Sequence, residues 1–457
     1  MNRIYRLVFN RTTGQMQVAS ELAASQAPGR ASVGHTHRPA SLRTALLLAL
    51  GLAVLPAQSA LAAAYEFTAD DTVSDPRSYV DGFRVGPDGT VVVNVVDGGS
   101  LATNGFASLG TLAGGVGTLN VSGTGRVSLT SVFDDMRVGD AGRGALNVSN
   151  GGTVAVRRNV LLGTLAGSHG AVRVDGAGST FTARQFEVGN FGSGELVISN
   201  GGVVETITAP VPLSYGMRIG ASSGSTGSVT VDTSGVLNIT DNHLFVGQRG
   251  NGELNIASGG AVNVGRTLAV GIDDGVTGTV RVTDGGVLVA KDIVLAQNTD
   301  TTGTLLVSTA SSVQADTVEL AHYGHALLRV ENGGVLHATT SLIAEGPNLL
   351  FGDEGQVGRI EVSGAGSAIE SARVEATASL RVDNGGAIRS DVAKLQNSYG
   401  ASADGSRTKA TLTGAGSQWV NSGAMQVTTD LQVLDGAQIT TDTLTVTGGA
   451  QWPKHDI

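Results

Sequence analysis

The chain has 457 residues, no cysteine, 67 glycines, 15% charged side chains and a formal net charge of −10. Without cysteine there is no disulfide framework and no thiolate metal site. The acidic balance argues against a nucleic-acid partner, which needs clustered Lys and Arg, and the 41% hydrophobic content argues against a disordered polar chain.

Residues 1–62 read as a targeting segment. Leu46-Leu-Leu-Ala-Leu-Gly-Leu-Ala-Val-Leu55 is an apolar stretch preceded by Arg38 and Arg43. It ends at Pro56 and is followed by Ala60-Leu61-Ala62, a small-x-small pattern. This order is that of a Sec-type signal peptide, with the cut between Ala62 and Ala63. The run is too short to span a bilayer, and a retained anchor is the alternative. Cleavage removes six Lys/Arg and Glu21, leaving −15 on the mature chain. Residues 63–90 then form an N-terminal cap region.

From residue 91 to 449 one phrase recurs about every 26 residues: Gly-x-Leu-x-Val-x-x-Gly-Gly-x-Val. Good copies are Gly144-Ala-Leu-Asn-Val-Ser-Asn-Gly-Gly-Thr-Val154 and Gly252-Glu-Leu-Asn-Ile-Ala-Ser-Gly-Gly-Ala-Val262. There are 14 copies, and the fifth residue is aliphatic in all of them, from Val95 to Val433. Apolar third and fifth residues with polar or small neighbours give a short strand with one apolar side. Glycine holds the ninth place in 12 of the 14 copies, which fits a turn with positive φ. Three copies carry Gly-Ala-Gly-Ser instead, and their next apolar residue slips one place, to Phe181, Ile369 and Trp419. A turn one residue longer would restore the inward side chain.

Each repeat has a second apolar run, such as Phe186-Glu-Val-Gly189 or Leu244-Phe-Val-Gly247. One unit cannot bury its own apolar edge, but stacked units share a core. The predicted fold is all-β: a right-handed parallel β-helix of about 14 coils. Its repeated part would be about 65–70 Å long at ~4.8 Å per coil. Sandwiches and propellers also use short strands and glycine turns, but propeller blades run ~40–45 residues.

The leader opens with Met1-Asn-Arg-Ile-Tyr-Arg-Leu-Val-Phe-Asn-Arg-Thr-Thr-Gly14 and continues through Val18-Ala-Ser-Glu-Leu-Ala23. This resembles the extended signal peptide region of type V secreted proteins of Gram-negative bacteria. The repeats behind it look like autotransporter passenger β-helix repeats. The resemblance implies export through the Sec translocon and an outer-membrane β-barrel partner in a full-length form. It also implies an exposed stalk that mediates adhesion to a host-cell surface or contact between neighbouring cells. A barrel needs runs of amphipathic strands with aromatic girdles. Here the repeats run to Thr445-Val-Thr-Gly-Gly449 and are followed by a tail, residues 450–457. The expectation is therefore a truncated passenger, at the cell surface if a barrel is supplied and otherwise in the periplasm.

No catalytic residue, metal ligand or cofactor site is assigned. Gly220-Ala-Ser-Ser-Gly224 matches a nucleophile elbow around Ser222, but no helical pattern follows it. His322, His325 and His337 lack Cys or Asp/Glu partners at zinc spacing. Asp273-Asp274 and Asp353-Glu354 do not recur in every repeat as calcium-binding nonapeptides do. The chain is expected not to be an enzyme. A β-helix hydrolase acting on polysaccharide or protein is the rival reading, and a truncated passenger without function the third. Repeat spacing swells at 205–215, 345–356 and 397–407. Such insertions become surface loops, often on a binding face, and they carry the candidate contact aromatics Tyr215, Phe351 and Tyr399, with neutral length drift as the alternative.

Overall fold

A computed structural model describes residues 5–10, 15–20, 64–207, 215–320, 323–345, 357–396 and 409–447. The contacts divide the chain at Ala60 and Leu61. In the leader unit, Tyr5–Asn10 pairs antiparallel with Gln15–Ser20. The second unit is a parallel β-helix, as the repeat predicts.

Every phrase copy lands on one sheet of 15 parallel strands. The third residues stack as Cα partners: Leu119, Leu146, Val172, Leu196, Val229, Leu254 and Val280. The fifth residues stack beside them as Val121, Val148, Val174, Ile198, Val231, Ile256 and Val282. All of these are at most 2% exposed and belong to one continuous core cluster. Fully burying each such side chain stabilises the fold by about 1.5–3 kcal/mol, and only the stack makes that burial available.

The rest of each coil lies on a second, creased sheet. In some coils two short strands form it, as Arg126–Leu129 and Met136–Val138 do. In others one long strand runs through, as Ala261–Val270 does, with its register broken between Val264 and Thr267. The crease lets inward residues on both halves face the same core. Each coil therefore has three corners: the glycine turn after the phrase, the crease, and the turn after the Val-Gly run.

The slipped apolar residues behave as expected. Phe181, Ile369 and Trp419 are fully buried and stack on Val154, Leu336 and Ile388. Each longer turn also places a serine hydroxyl on its own strand. Ser179, Ser367 and Ser417 donate to the carbonyls of Asp175, Ser363 and Thr413 at 2.7, 2.6 and 2.8 Å. The same hydroxyls accept the N–H of Gly151, Gly333 and Gly385 in the coil below.

The ninth-place glycine needs a correction. It has positive φ only in the three longer turns, at Gly178, Gly366 and Gly416. In the Gly-Gly turns the left-handed residues come earlier, for example Ser258 at φ 50° and Gly259 at φ 74°. Gly260 is ordinary in φ, but a Cβ there would lie 2.2 Å from the Val231 carbonyl oxygen of the preceding coil. Glycine is required at that place by close approach between coils, not by backbone handedness.

The expected 63–90 region is coiled too. Asp71–Val73 extends the 15-stranded sheet, with Val73 beneath Val95. Tyr65, Phe67, Tyr79 and Phe83 form a ring cluster at this end, with Phe67 edge-on to Phe83 at 6.2 Å. Near the other end the inward column beside the crease turns polar. The Trp419 indole N–H donates to Ser390 at 2.9 Å, and Ser390 donates to Asn421 at 2.7 Å. A buried indole needs such a partner.

Candidate functional site: the outer corners of the coil stack

The insertions fall at two of the corners. The first, 205–215, falls at the crease, between strands Val203–Thr206 and Met217–Ile219. The second and third leave the turn that follows Val335–Ala344 and Ala387–Leu395. Ala344 pairs with Ala376, and Ala376 with Leu395, so these two roots sit two coils apart in one column. Phe351 and Tyr399 lie outside the described residues, as do Ala62, Ala63, His322, Asp353 and Glu354.

Tyr215, the last residue of the first insertion, lies against the wall. Its hydroxyl donates to Glu187 at 2.7 Å, and the Arg218 guanidinium lies 4.1 Å from its ring centroid. Arg218 also donates to the same Glu187 oxygen, and Asn190 donates to the other. Gln185 donates to the Tyr215 carbonyl at 3.0 Å. Glu187 is 4% exposed, so its carboxylate is held by three donors rather than offered to solvent. Burial, reinforced by the Glu187 charge, pushes the Tyr215 phenol above its ordinary pKa. A raised folded value means the neutral phenol is favoured by folding. Its contribution is complete below the ordinary tyrosine pKa of about 10 and is lost as pH rises through the folded value. Tyr215→Phe should cost about 1–3 kcal/mol, because it removes one donor from a buried carboxylate. Denaturant unfolding at neutral pH checks this, and the difference from the native chain should shrink at strongly alkaline pH. Glu187 and Arg218 are Cα partners on adjacent coils. Aligning the second apolar runs would have revealed this opposite-charge pair.

The turn after the Val-Gly run carries an apolar ridge. Leu112, Leu165 and Phe191 are 54%, 51% and 55% exposed. Ala141 sits between the first two, and each coil hydrogen-bonds to the one before. Ala141 N–H donates to Thr111, Leu165 N–H to Asp140, and Phe191 N–H to Gly163. Four successive coils thus present apolar side chains in one line. Further along, the same corner carries Ser222, Arg249 and Asp273. Sequence reading missed the ridge because each residue falls inside an ordinary-looking turn.

The remaining candidates are not gathered into a reactive site. Ser222 occupies a tight turn closed by the Ser225 N–H at 3.0 Å, and a strand, Thr226–Val231, follows it. His325 lies on the 15-stranded sheet and His337 on the creased one, where it faces Glu370 at 3.5 Å. Asp273 pairs with Arg249 at 2.9 Å, and Asp274 accepts from Thr299. Asp135, at the crease, is pushed above the usual carboxylate range by burial, which the charges of Arg158 and Arg137 oppose. Arg158 pairs with it at 3.1 Å.

Residues 1–50 match the family described as Extended Signal Peptide of Type V secretion system. The chain is 35% identical over 295 residues to Uncharacterized lipoprotein YdeK of Escherichia coli (strain K12). That match covers 62% of this chain and 21% of the relative, so the chain spans about a fifth of that protein's length. A solved structure, the "TibC-catalyzed hyper-glycosylated TibA55-350 fragment", is similar over 83% of this chain and 99% of that one. Its identity is 19% and its TM-score 0.38. Residues 1–50 thus carry a type V extended signal peptide and a parallel β-helix follows in the chain, the two parts that an exported autotransporter passenger combines.

Proposed function

We propose that this passenger is a non-enzymatic display stalk that mediates adhesion or cell–cell contact. The observation that carries the reading is the apolar ridge of Leu112, Ala141, Leu165 and Phe191, held in line by a stack of hydrogen-bonded coils. Soluble proteins seldom expose contiguous apolar surface without a contact to cover it. The roots of the second and third insertions, two coils apart in one column, mark a further corner for contacts. The hydrolase reading finds less support, since Glu187, the most buried carboxylate of the crease region, already accepts from three donors. With a barrel the passenger stands at the cell surface; without one it stays in the periplasm.

The test joins the passenger to a working barrel and measures adherence to host cells and self-aggregation against a barrel-only control. Changing Leu112, Leu165 and Phe191 to Ser together should cut adherence or aggregation at least about tenfold. It should leave stability within about 0.5 kcal/mol per site, as exposed positions allow. Behaviour equal to the barrel-only control would end the adhesion reading.

A further inference from the structure

We infer that a shallow groove on the 15-stranded sheet binds a neutral oligosaccharide laid along the coil axis. The inference rests on the contact reading above and gives it a ligand class. The groove crosses strands Thr226–Val231, Asn251–Ile256 and Thr277–Val282 and holds about 470 Å³. Gly194, Gly227 and Gly252 contribute only backbone to its floor, since a Cβ at each would point inward, at Gly189 N, Val188 O and Gly247 N. The side chains that line it are Thr226, Ser228, Thr277 and Thr279, with Asn251, Glu253 and Arg281, so hydroxyls and charged groups alternate with the carbon surface of backbone and threonine methyls.

Three features select a sugar. First, the hydroxyls of Thr226, Ser228, Thr277 and Thr279 make no side-chain hydrogen bond to the described residues, so four groups that both donate and accept face one open space. A ligand made of hydroxyls matches such a set in both directions. Second, the charges cancel. Arg281 donates to Glu253 Oε1, and Asn255 donates to the same oxygen at 3.2 Å. Glu253 Oε2 stays an acceptor, and the remaining guanidinium N–H groups stay donors, poised side by side for neighbouring hydroxyls. A polyanion gains nothing from a neutral groove on an acidic protein. No apolar side chain lines the groove, which disfavours a lipid or an apolar peptide. Third, the lining repeats. Ser228, Glu253 and Thr279 are successive Cα partners, one rung per coil at about 4.8 Å. A linear chain of sugar rings along the axis meets a similar set of groups at each step.

A depression further along the same sheet shows the contrast. Arg329 and Arg359 both donate to Glu361, at 2.7 and 2.6 Å, and Arg381 donates to Asp383 at 2.6 Å. Its lining carries three guanidiniums and one hydroxyl, that of Ser363, where the groove carries four, and that depression serves as the control.

The full exported chain is titrated with cellohexaose, maltohexaose and chitohexaose, and with a heparin hexasaccharide as the polyanionic arm, by saturation-transfer NMR and calorimetry. At least one neutral hexaose should bind, weakly for a wet and open site. Glu253→Ala and Thr277→Val should each weaken it, the former about tenfold, while Glu361→Ala should leave it unchanged. Hydrogen exchange on each variant confirms that the coils stay stacked. Binding of heparin alone, no binding of any neutral hexaose, or binding indifferent to Glu253→Ala overturns the inference. Adherence that survives Glu253→Ala but fails in the ridge variant leaves the contact reading standing and removes the glycan site.

Discussion

Leu254→Asp is expected to open the β-helix around one coil and to cost at least about 4 kcal/mol. Leu254 is fully buried between Val229 and Val280, its Cα partners on the neighbouring coils. Truncating a buried Leu to Ala alone costs about 2–5 kcal/mol. A carboxyl in the same place has no donor to meet it and must be buried protonated or drag in water, which adds several kcal/mol. The damage should stay local, because in a solenoid each coil contacts only its neighbours. Amide exchange should therefore quicken most across residues 226–282 and least near Leu119 or Leu380. Ser228→Asp, one strand away but facing outward, should change stability by no more than about 0.5 kcal/mol. Equal effects of the two aspartates would contradict the inward assignment of the ladder.

Two adjacent glycines give the second large contrast. Gly259 has φ 74° and open space where a Cβ would stand. Gly259→Ala should cost about 1–2 kcal/mol, the ordinary penalty of a left-handed L-residue. Gly260→Ala should cost about 3 kcal/mol or more, although its φ is ordinary. Its new Cβ would sit 2.2 Å from the Val231 oxygen and 2.7 Å from the Val231 carbonyl carbon. Both are backbone atoms of the coil below, so no side chain can swing away and the two coils must part. Chemical denaturation of the two variants measures the difference. A larger loss at Gly259 would mean that handedness, not coil spacing, demands the glycine pair.

Much of this fold was legible because it repeats. Leu254 alone says little, but the same residue type in the same place copy after copy specifies both the strand and its register. The slips at Phe181, Ile369 and Trp419 were readable for the same reason, since each breaks and then restores the pattern. What escaped depends on neighbouring coils rather than on one copy. The demand on Gly260 comes from a carbonyl in the preceding coil, which no single strand pattern displays. The coil at 65–85 lacks the glycine phrase, so its sequence suggests only a cap region, although Val73 continues the ladder. Tyr215 stood out as a loop aromatic, yet whether it faces solvent or Glu187 depends on a carboxylate 28 residues away. The ridge of Leu112, Leu165 and Phe191 appears only once the Val-Gly turns are placed one above another.

Distances between spin labels test the stacking of coils most directly. The natural chain has no cysteine, so introduced pairs label cleanly. Ala171, Thr279 and Ser379 occupy the same outward place on the 15-stranded sheet. Four coil steps separate the first two, and eight the first and last. Labels at 171 and 279 should lie about 19 Å apart and those at 171 and 379 about 38 Å, at ~4.8 Å per coil. Narrow distributions in that two-to-one ratio are the predicted result. Broad distributions, or equal distances for the two pairs, would contradict the stack.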